Sequence, residues 1–299
     1  MKTNCYSPLR YPGGKSRLID FFSLVIEQNN LQDGTYIEPF SGGAAVALSL
    51  AIDGKMKRVV INDYDRSIYA FWYSVLYHTD ELVEKIQSTQ LSLDEWHRQR
   101  EVQIRKNTAN ILDLGFSTFY LNRTNRSGVL KAGVIGGVNQ TGTYKIDARY
   151  NKEQLISRIK LIAQHKNKIV LHNENAIDLL RRYRNMSSKN LVYLDPPYFV
   201  KGRELYVNFF KLEDHVELAK YIQDRTNMNW ILTYDNHEFI SNLYSEANKM
   251  IYTLPYSAGA NKSGEELLIW KKNIVIPKDS LPDISEMPGQ SQGCGFRGD

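Results

Sequence analysis

Short apolar stretches alternate with amphipathic segments through much of the chain. Six of the stretches are brief and rich in β-branched or aromatic residues, which is typical of buried strands. They are Thr35–Glu38, Arg58–Asn62, 168–172, Leu191–Leu194, 230–234 and 267–271. Segments 154–164 and 211–224 carry apolar residues at the spacing of one helix face. The alternation predicts an α/β fold, with a mostly parallel sheet covered by helices on both faces.

The alternation is interrupted in the middle of the chain. From residue 67 to about residue 122 the pattern is helical with no strand, and a glycine-rich stretch, 127–142, is typical of loops or a hairpin. We interpret residues 67–150 as a mainly helical insert between two parts of one domain, 1–66 and 151–276. Extra helices on a single fold are the alternative. Residues 277–299 are rich in Pro, Gly, Ser and Asp and are predicted to be a disordered tail.

Composition excludes several classes of protein. Of the 299 residues 42% are apolar, which is too many for a disordered chain. No apolar run approaches the roughly 20 residues of a membrane-spanning helix, and the N-terminus lacks the apolar stretch of a secretory signal. With two cysteines, neither a disulfide framework nor a cysteine metal cluster is expected. These features favour a reduced, cytoplasmic enzyme.

The most informative motif is Asp195-Pro196-Pro197-Tyr198, directly after the predicted strand Leu191–Leu194. In open α/β sheets, ligands bind outside the carboxyl ends of strands. The Asp195 carboxylate and the Pro196 carbonyl can accept both hydrogens of an amino group, and Tyr198 can stack on a planar ring. The motif predicts a site for a planar group that bears an amino nitrogen; a turn in which Asp195 caps the next segment is the alternative.

Three further segments carry candidate ligand contacts. The first predicted strand ends in a glycine turn that includes Phe40 and Gly42, and glycine allows a ligand to approach the backbone closely. Asp63 follows the second strand, where a carboxylate suits a ribose diol; a helix N-cap is the alternative. Lys15 lies in a flexible turn before an apolar helix and can meet the carboxylate of a bound cofactor or a phosphate; a solvated lysine at a helix start is the alternative.

Positive charge is concentrated in the middle of the chain. The whole chain has 38 Lys and Arg against 33 Asp and Glu, whereas residues 98–168 have 14 against 4. Four polar residues follow an apolar helix in this region, namely Arg123, Asn125, Arg126 and Ser127. Arginine can bind phosphate or guanine and asparagine can read adenine, so they are candidate DNA contacts. A solvated basic turn is the alternative.

These segments together resemble a known family. Asp195–Tyr198 resembles the catalytic motif of the amino-group DNA methyltransferases. Four further segments resemble motifs of the D12, or Dam, family of DNA adenine methylases and follow the order of those motifs along the chain. They are 10–15 (RYPGGK), 37–46 (IEPFSGGAAV), 61–65 (INDYD) and 122–127 (NRTNRS). The resemblance covers about residues 6–271. Residues 131–142 depart from the family's best-studied members, so no recognition sequence is carried over.

The resemblance implies a Rossmann-like methyltransferase sheet with a DNA-recognition insert. It implies methyl transfer from S-adenosylmethionine, without a metal, to N6 of a flipped adenine in double-stranded DNA. The implied catalytic residues are Asp195, Pro196 and Tyr198, and the implied cofactor contacts are Tyr11, Lys15, Phe40, Gly42, Asp63 and Asp195. A cognate restriction endonuclease is a further expected partner.

Three alternative activities stay open at this point. One is an N4-cytosine DNA methylase, whose target base also carries an exocyclic amine. Another is an RNA or protein-amide methylase, which uses related motifs. A DNA-binding relative that has lost catalysis is the third.

The remaining predictions concern other residues. Trp72 and Trp96 are predicted to be core residues, and 233–236 to line the pocket. Residues 257–265 are predicted to form either a loop over the site or a plain connection.

Overall fold

The computed structural model describes residues 5–10, 15–185, 187–199, 210–224, 228–256, 262–281 and 284–285. The strands are β1 Thr35–Glu38, β2 Arg58–Asn62, β3 Ile169–His172, β4 Leu191–Leu194, β5 Asn229–Asp235, β6 Asn248–Tyr256, β7 Lys262–Trp270 and β8 Ile284–Ser285. The helices are α1 Ile19–Gln28, α2 Ala45–Ile52, α3 Arg66–Tyr77, α4 Thr79–Ser88, α5 Leu93–Ile104, α6 Ile111–Thr124, α7 Lys152–Gln164, α8 Ala176–Tyr183, α9 Leu212–Asp224 and α10 Glu238–Leu243.

The strands form one mixed sheet in the order β3-β2-β1-β4-β5-β7-β6-β8. The first five strands in this order are parallel, and β7, β6 and β8 continue the sheet in antiparallel pairs. All six predicted strands are present, so the predicted α/β fold is confirmed. The sequence did not predict β6 and β8, nor the polar first half of β7.

Helices cover both faces of the sheet, as predicted. Neighbouring residues of β1 point in opposite directions: Tyr36 belongs to a core that includes α1, α2 and α3, whereas Ile37 belongs to a second core with α8, α9 and α10. Both side chains are fully buried. This two-faced burial explains why the parallel strands read as nearly continuous apolar runs.

The predicted insert consists of α3 to α6 and a long connection. Trp72 of α3 and Phe119 of α6 belong to the same apolar core as Tyr36 of the sheet, so these helices pack onto the sheet domain. The glycine-rich connection begins with a loop closed by an antiparallel bridge between Asn125 and Val134. The domain boundaries at residues 67 and 150 stay a prediction.

The beginning of the predicted disordered tail is ordered. Residues Lys278–Ser280 form a short 3-10 helix, Leu281 is buried, and Ser285 pairs with Ile251 of β6. The apolar side chain of Leu281 and the free edge of β6 explain this order. Residues 286–299, with Cys294, lie outside the described part of the chain.

Membrane-spanning helices and metal-binding clusters are absent from the described residues. No helix there combines the length and apolar character that crossing a membrane requires. No cluster of three or more His, Cys, Asp or Glu side chains suited to a metal ion occurs in the same residues.

Candidate active site

The candidate site lies at the carboxyl ends of the parallel strands. Strand β4 lies between β1 and β5, so Asp195, which follows β4, is next to the glycine turn after β1 and to Thr233 near the end of β5. Asp63 follows β2, the other neighbour of β1. The sheet therefore brings together segments that are far apart in the sequence.

Asp195 is held by a cation and a hydroxyl. Lys15 Nζ lies 2.9 Å from Oδ1 and 3.0 Å from Oδ2 of Asp195, and Thr233 Oγ1 donates to Oδ1 at 2.8 Å. The Asp195 side chain is 20% exposed, so it is not fully enclosed by the protein. Burial raises the pKa of Asp195; Lys15 opposes this rise and the nearby Glu266 adds to it.

Tyr198 is tethered through its hydroxyl. It accepts a hydrogen bond from Lys15 Nζ at 2.9 Å and donates to Glu266 Oε1 at 2.5 Å. Tyr252 Oη donates to the other oxygen of Glu266, also at 2.5 Å. The ring of Tyr198 is therefore fixed by polar contacts at its far end.

The glycine turn and the acidic motif after β2 are joined by hydrogen bonds. Gly42 has a φ of +44° and donates from its backbone N to Asp63 Oδ2 at 3.0 Å. Asp65 N donates to Asp63 Oδ1 at 2.9 Å. The N-cap of α3 is Asp65, which accepts from Ser67 N, so the N-cap alternative for Asp63 does not hold.

The charge state of Asp63 depends on its surroundings. Burial raises the pKa of Asp63 to about 7, although hydrogen bonds from Asp65 N and Gly42 N favour the charged form. Phe40 is half-buried at the start of the same turn. An aromatic side chain, a glycine turn and a carboxylate thus lie together, and they can hold a ring and a diol.

Trp72 connects the first insert helix to this turn. It is fully buried, as predicted for a core residue, and its Nε1 donates to Gly42 O at 2.9 Å. The sequence did not predict this second role, because the contact joins residues 30 positions apart.

Two of the four candidate DNA contacts are buried. Asn125 is fully buried: it donates to Val129 O and Leu130 O at 3.0 Å each and accepts from Trp96 Nε1 at 2.7 Å. This side chain therefore supports the loop. Arg123 is 9% exposed, and its Nε has no hydrogen-bond partner among the described residues.

The buried guanidinium of Arg123 has a cationic environment. Burial, followed by the charges of Arg10 and Arg158, lowers the pKa of Arg123 to about 10. The other two candidates, Arg126 and Ser127, are exposed at the start of the loop. Of the four residues, these two are accessible to a partner in this structure.

The N-terminal motif is attached to the same loop. Arg10 N donates to Asn122 Oδ1 at 2.8 Å, and Asn122 Nδ2 donates back to Arg10 O at 2.7 Å. Asn122 Nδ2 also donates to Gly128 O at 2.9 Å. Tyr11 lies outside the described residues, as does most of the predicted 257–265 loop. Lys15 lies beside Asp195, and its expected contact with the cofactor stays a prediction.

Sequence reasoning missed Glu266 and Tyr252. Glu266 lies opposite Asp235 of β5 and opposite Tyr252 of β6 in the antiparallel part of the sheet. No local motif marks it, because only the pairing of β6, β7 and β5 brings it to the site. An acidic residue directly before the apolar run 267–270 is the sole signal in the sequence.

The chain is similar in sequence to known proteins that are named methyltransferases. The chain is 27% identical over 265 residues to the type II methyltransferase M.MjaIII of Methanocaldococcus jannaschii, covering 80% of this chain and 88% of that protein. It is 25% identical over 237 residues to the type II methyltransferase M.CviBI of Paramecium bursaria Chlorella virus NC1A, covering 79% and 85%.

More distant similarities were also found. The modification methylase StsI of Streptococcus sanguinis is 26% identical over 206 residues, which are 65% of this chain and 29% of that protein. A crystal structure of a SAM-dependent methyltransferase from Agrobacterium tumefaciens superposes with a TM-score of 0.41 at 10% identity, covering 85% of this chain and 62% of that one.

The decisive comparison is with protein families. The model of one family matches residues 11–255, which is most of the chain and includes every motif of the candidate site. The chain belongs to the family of D12 class N6 adenine-specific DNA methyltransferases.

Proposed function

We propose that the protein transfers the methyl group of S-adenosylmethionine to N6 of adenine in double-stranded DNA. The observation that carries the proposal is the partly exposed side chain of Asp195, held by Lys15 and Thr233 next to the tethered side chain of Tyr198. This arrangement offers a hydrogen-bond acceptor to a planar amine; Tyr198 is 5% exposed, so its ring would stack on the amine's ring only once the ligand has entered. Family membership supports DNA as the substrate.

The residues after β1 and β2 fit the methyl donor. When bound, S-adenosylmethionine supplies an electrophilic methyl group on a sulfonium. Asp63 would accept hydrogen bonds from the ribose hydroxyls: backbone donors orient its two oxygens, and each oxygen can accept a further hydrogen bond. Gly42 allows close approach to the backbone, and Phe40 can add an aromatic contact; a contact from Tyr11 is implied by the family resemblance alone.

The catalytic residues act on the target amine. An exocyclic amine of adenine is a poor nucleophile because its lone pair is delocalised into the ring. Hydrogen bonds from its two N–H groups to Asp195 and to Pro196 O favour a pyramidal nitrogen with a localised lone pair. Tyr198 holds the ring by stacking. Most of the rate enhancement then comes from positioning. As N6 gains the methyl group it would pass one proton to the Asp195 carboxylate, and the electron pair of the broken S–CH3 bond stays on sulfur.

The target base must leave the helix for this contact to form. N6 of a stacked adenine is out of reach of a pocket at a sheet edge, so the base is flipped into the site. Arg126 and Ser127 are the accessible candidates for contacts with the DNA backbone; Arg123 is buried, and among the described residues its Nε has no hydrogen-bond partner. The basic region 98–168 gives these contacts a favourable field.

The biological setting stays a prediction. Two of the relatives are named type II methyltransferases, which favours a role beside a cognate restriction endonuclease in the cytoplasm. Co-purification of such an endonuclease, or cleavage of unmethylated DNA by a neighbouring gene product, would test it.

Replacement of Asp195 tests the function. We expect Asp195→Ala to abolish transfer of a radiolabelled methyl group from S-adenosylmethionine to DNA, because the amine loses its acceptor. Asp33→Ala is the matched control, since the Asp33 side chain is 80% exposed and its partner Lys189 precedes β4, at the opposite end of the strand from Asp195. Thermal unfolding of each variant shows whether the fold survives. Near wild-type turnover by a folded Asp195→Ala protein would contradict the assignment.

A further inference from the structure

Glu266 is a buried carboxylate at the site to which the proposed function gives no role. It lies on β7, it is fully buried, and it accepts one hydrogen bond on each oxygen, from Tyr198 and from Tyr252. Lys15 Nζ is 3.7 Å from its Oε2. A buried carboxylate is costly unless hydrogen bonds and a counter-charge offset its desolvation, and Glu266 has both.

Lys15 faces two carboxylates at unequal distances. Its ammonium contacts both oxygens of Asp195 at 2.9 and 3.0 Å, against 3.7 Å to Glu266. The proposed reaction requires Asp195 to accept a hydrogen bond from the target amine. Oδ1 already accepts from Thr233 as well as from Lys15, and Lys15 also takes one acceptor position of Oδ2, so the ammonium competes with the amine and its withdrawal opens acceptor positions.

The geometry points to Glu266 as the positioning residue that draws Lys15 away from Asp195 and holds Tyr198 when the target base enters. The inference rests on the proposed function. Glu266 is suited to this role because one of its oxygens fixes the Tyr198 hydroxyl and the other lies within reach of the ammonium. Tyr252 keeps the carboxylate in place from β6.

The pKa of Asp195 depends on the charges around it, so the pH profile of the reaction can report whether the charge of Glu266 is present. The titratable and charged groups that act on it are Lys15 before α1, Glu38 of β1, Tyr193 of β4 and Glu266 of β7, with Tyr36 and Tyr234 on β1 and β5. The charge of Glu266 raises the pKa of Asp195. Removing that charge lowers this pKa, so the acid limb of the kcat/KM profile moves to lower pH.

The test compares three variants with the wild-type protein on duplex DNA. Glu266→Gln keeps the side-chain length without the charge, and Glu266→Asp keeps the charge on a shorter side chain. Glu246→Gln is the matched control, because Glu246 is 87% exposed and pairs with Lys272. We expect Glu266→Gln to lower kcat about tenfold or more, since small misplacements of reacting groups have large effects on rate. Its KM for DNA should change far less, and its acid limb should shift to lower pH.

The two replacements at Glu266 separate charge from packing. Glu266→Asp should recover part of the lost turnover and keep the wild-type acid limb, and Glu246→Gln should behave as wild type. Equal losses in both Glu266 variants with an unchanged acid limb, or a kcat of Glu266→Gln close to wild type, would overturn the inference. If Glu266→Gln fails to fold, Glu266→Asp decides: lowered kcat at an unchanged melting temperature supports the role, and wild-type kcat refutes it. An inactive wild-type protein would instead refute the proposed function itself.

Discussion

Glu38 is a buried carboxylate at the end of β1 whose environment favours the protonated form. It is 4% exposed at the end of β1, where its Oε1 accepts from Tyr36 Oη at 3.0 Å and from Ala47 N at 3.1 Å. Burial raises its pKa from 4.5 to about 8, although both hydrogen bonds oppose the rise. The side chain thus links β1 to the N-terminal turn of α2, around the glycine turn of the candidate cofactor site.

The raised pKa of Glu38 predicts a pH dependence of stability. Between the ordinary value of 4.5 and about 8, the folded protein holds a proton that the unfolded chain has lost. The free energy of unfolding contributed by this group therefore falls as pH rises through that window. In wild type this group should lower the free energy of unfolding by about 1–3 kcal/mol between pH 5 and pH 8, and we expect Glu38→Gln to remove that decrease. Urea unfolding at pH 5 and pH 8 measures it; an equal pH dependence in the variant and in wild type would disprove the shift, with Glu246→Gln as control.

At the scale of elements, two insert helices reach the functional loops through tryptophan indoles. Trp72 of α3 donates to Gly42 O in the glycine turn, and Trp96 of α5 donates to Asn125 Oδ1 in the loop of candidate DNA contacts. Both side chains are buried. The insert therefore supports the candidate cofactor site and the candidate DNA loop through separate contacts.

Because the two tryptophans contact different loops, replacing each one should weaken the binding of a different ligand. Trp72→Phe keeps an aromatic core but leaves Gly42 O without its donor, so it should lower stability by about 1–3 kcal/mol and weaken S-adenosylmethionine binding more than DNA binding. Trp96→Phe should weaken DNA binding more. Calorimetric titration with the cofactor and fluorescence anisotropy with labelled DNA measure the two affinities. Equal effects of both variants on both ligands would contradict this division.

The sequence predicted the parallel strands well because burial on both faces leaves a local apolar signature. Strand β6 was missed because buried Met250 and Tyr252 alternate with half-buried residues, and the first half of β7 because it is polar. Hydrogen bonding between the two strands stabilises these segments. Glu266 was missed for the same reason: its place at the site follows from strand pairing, which no local pattern encodes.

The motifs predicted the site in part. Lys15 and Tyr198 meet next to Asp195, and Gly42 meets Asp63, as expected for motifs at neighbouring strand ends. The loop of candidate DNA contacts was harder to interpret, because burial of polar side chains depends on tertiary packing. Asn125 has the composition of a base-reading residue but is enclosed by its own loop.

At the scale of the whole molecule, the charge is unevenly distributed along the chain. Residues 98–168 have 14 Lys and Arg against 4 Asp and Glu, whereas the whole chain has 38 against 33. The basic region contains α6, α7 and the exposed residues Arg126 and Ser127. A polyanion is therefore attracted to the region that the family resemblance assigns to DNA recognition.

This distribution predicts a salt-dependent association with DNA. Each cation that neutralises a phosphate releases counterions, so Arg126→Ala should reduce the slope of log K against log salt by about one and weaken binding similarly for different sequences. Arg184→Ala is the control, since Arg184 is exposed but lies outside the basic region. Binding measured by anisotropy at several salt concentrations gives the slopes. An unchanged slope for Arg126→Ala would remove this residue from the interface.

The proposal that the protein methylates N6 of adenine is best tested by identifying the methylated nucleoside. Duplex DNA that carries no methylation is incubated with the protein and S-adenosylmethionine, hydrolysed to nucleosides and analysed by mass spectrometry. We expect N6-methyladenine with the wild-type protein and no methylated nucleoside with Asp195→Ala. N4-methylcytosine in its place, or no methylated nucleoside from a folded wild-type protein that binds the cofactor, would contradict it.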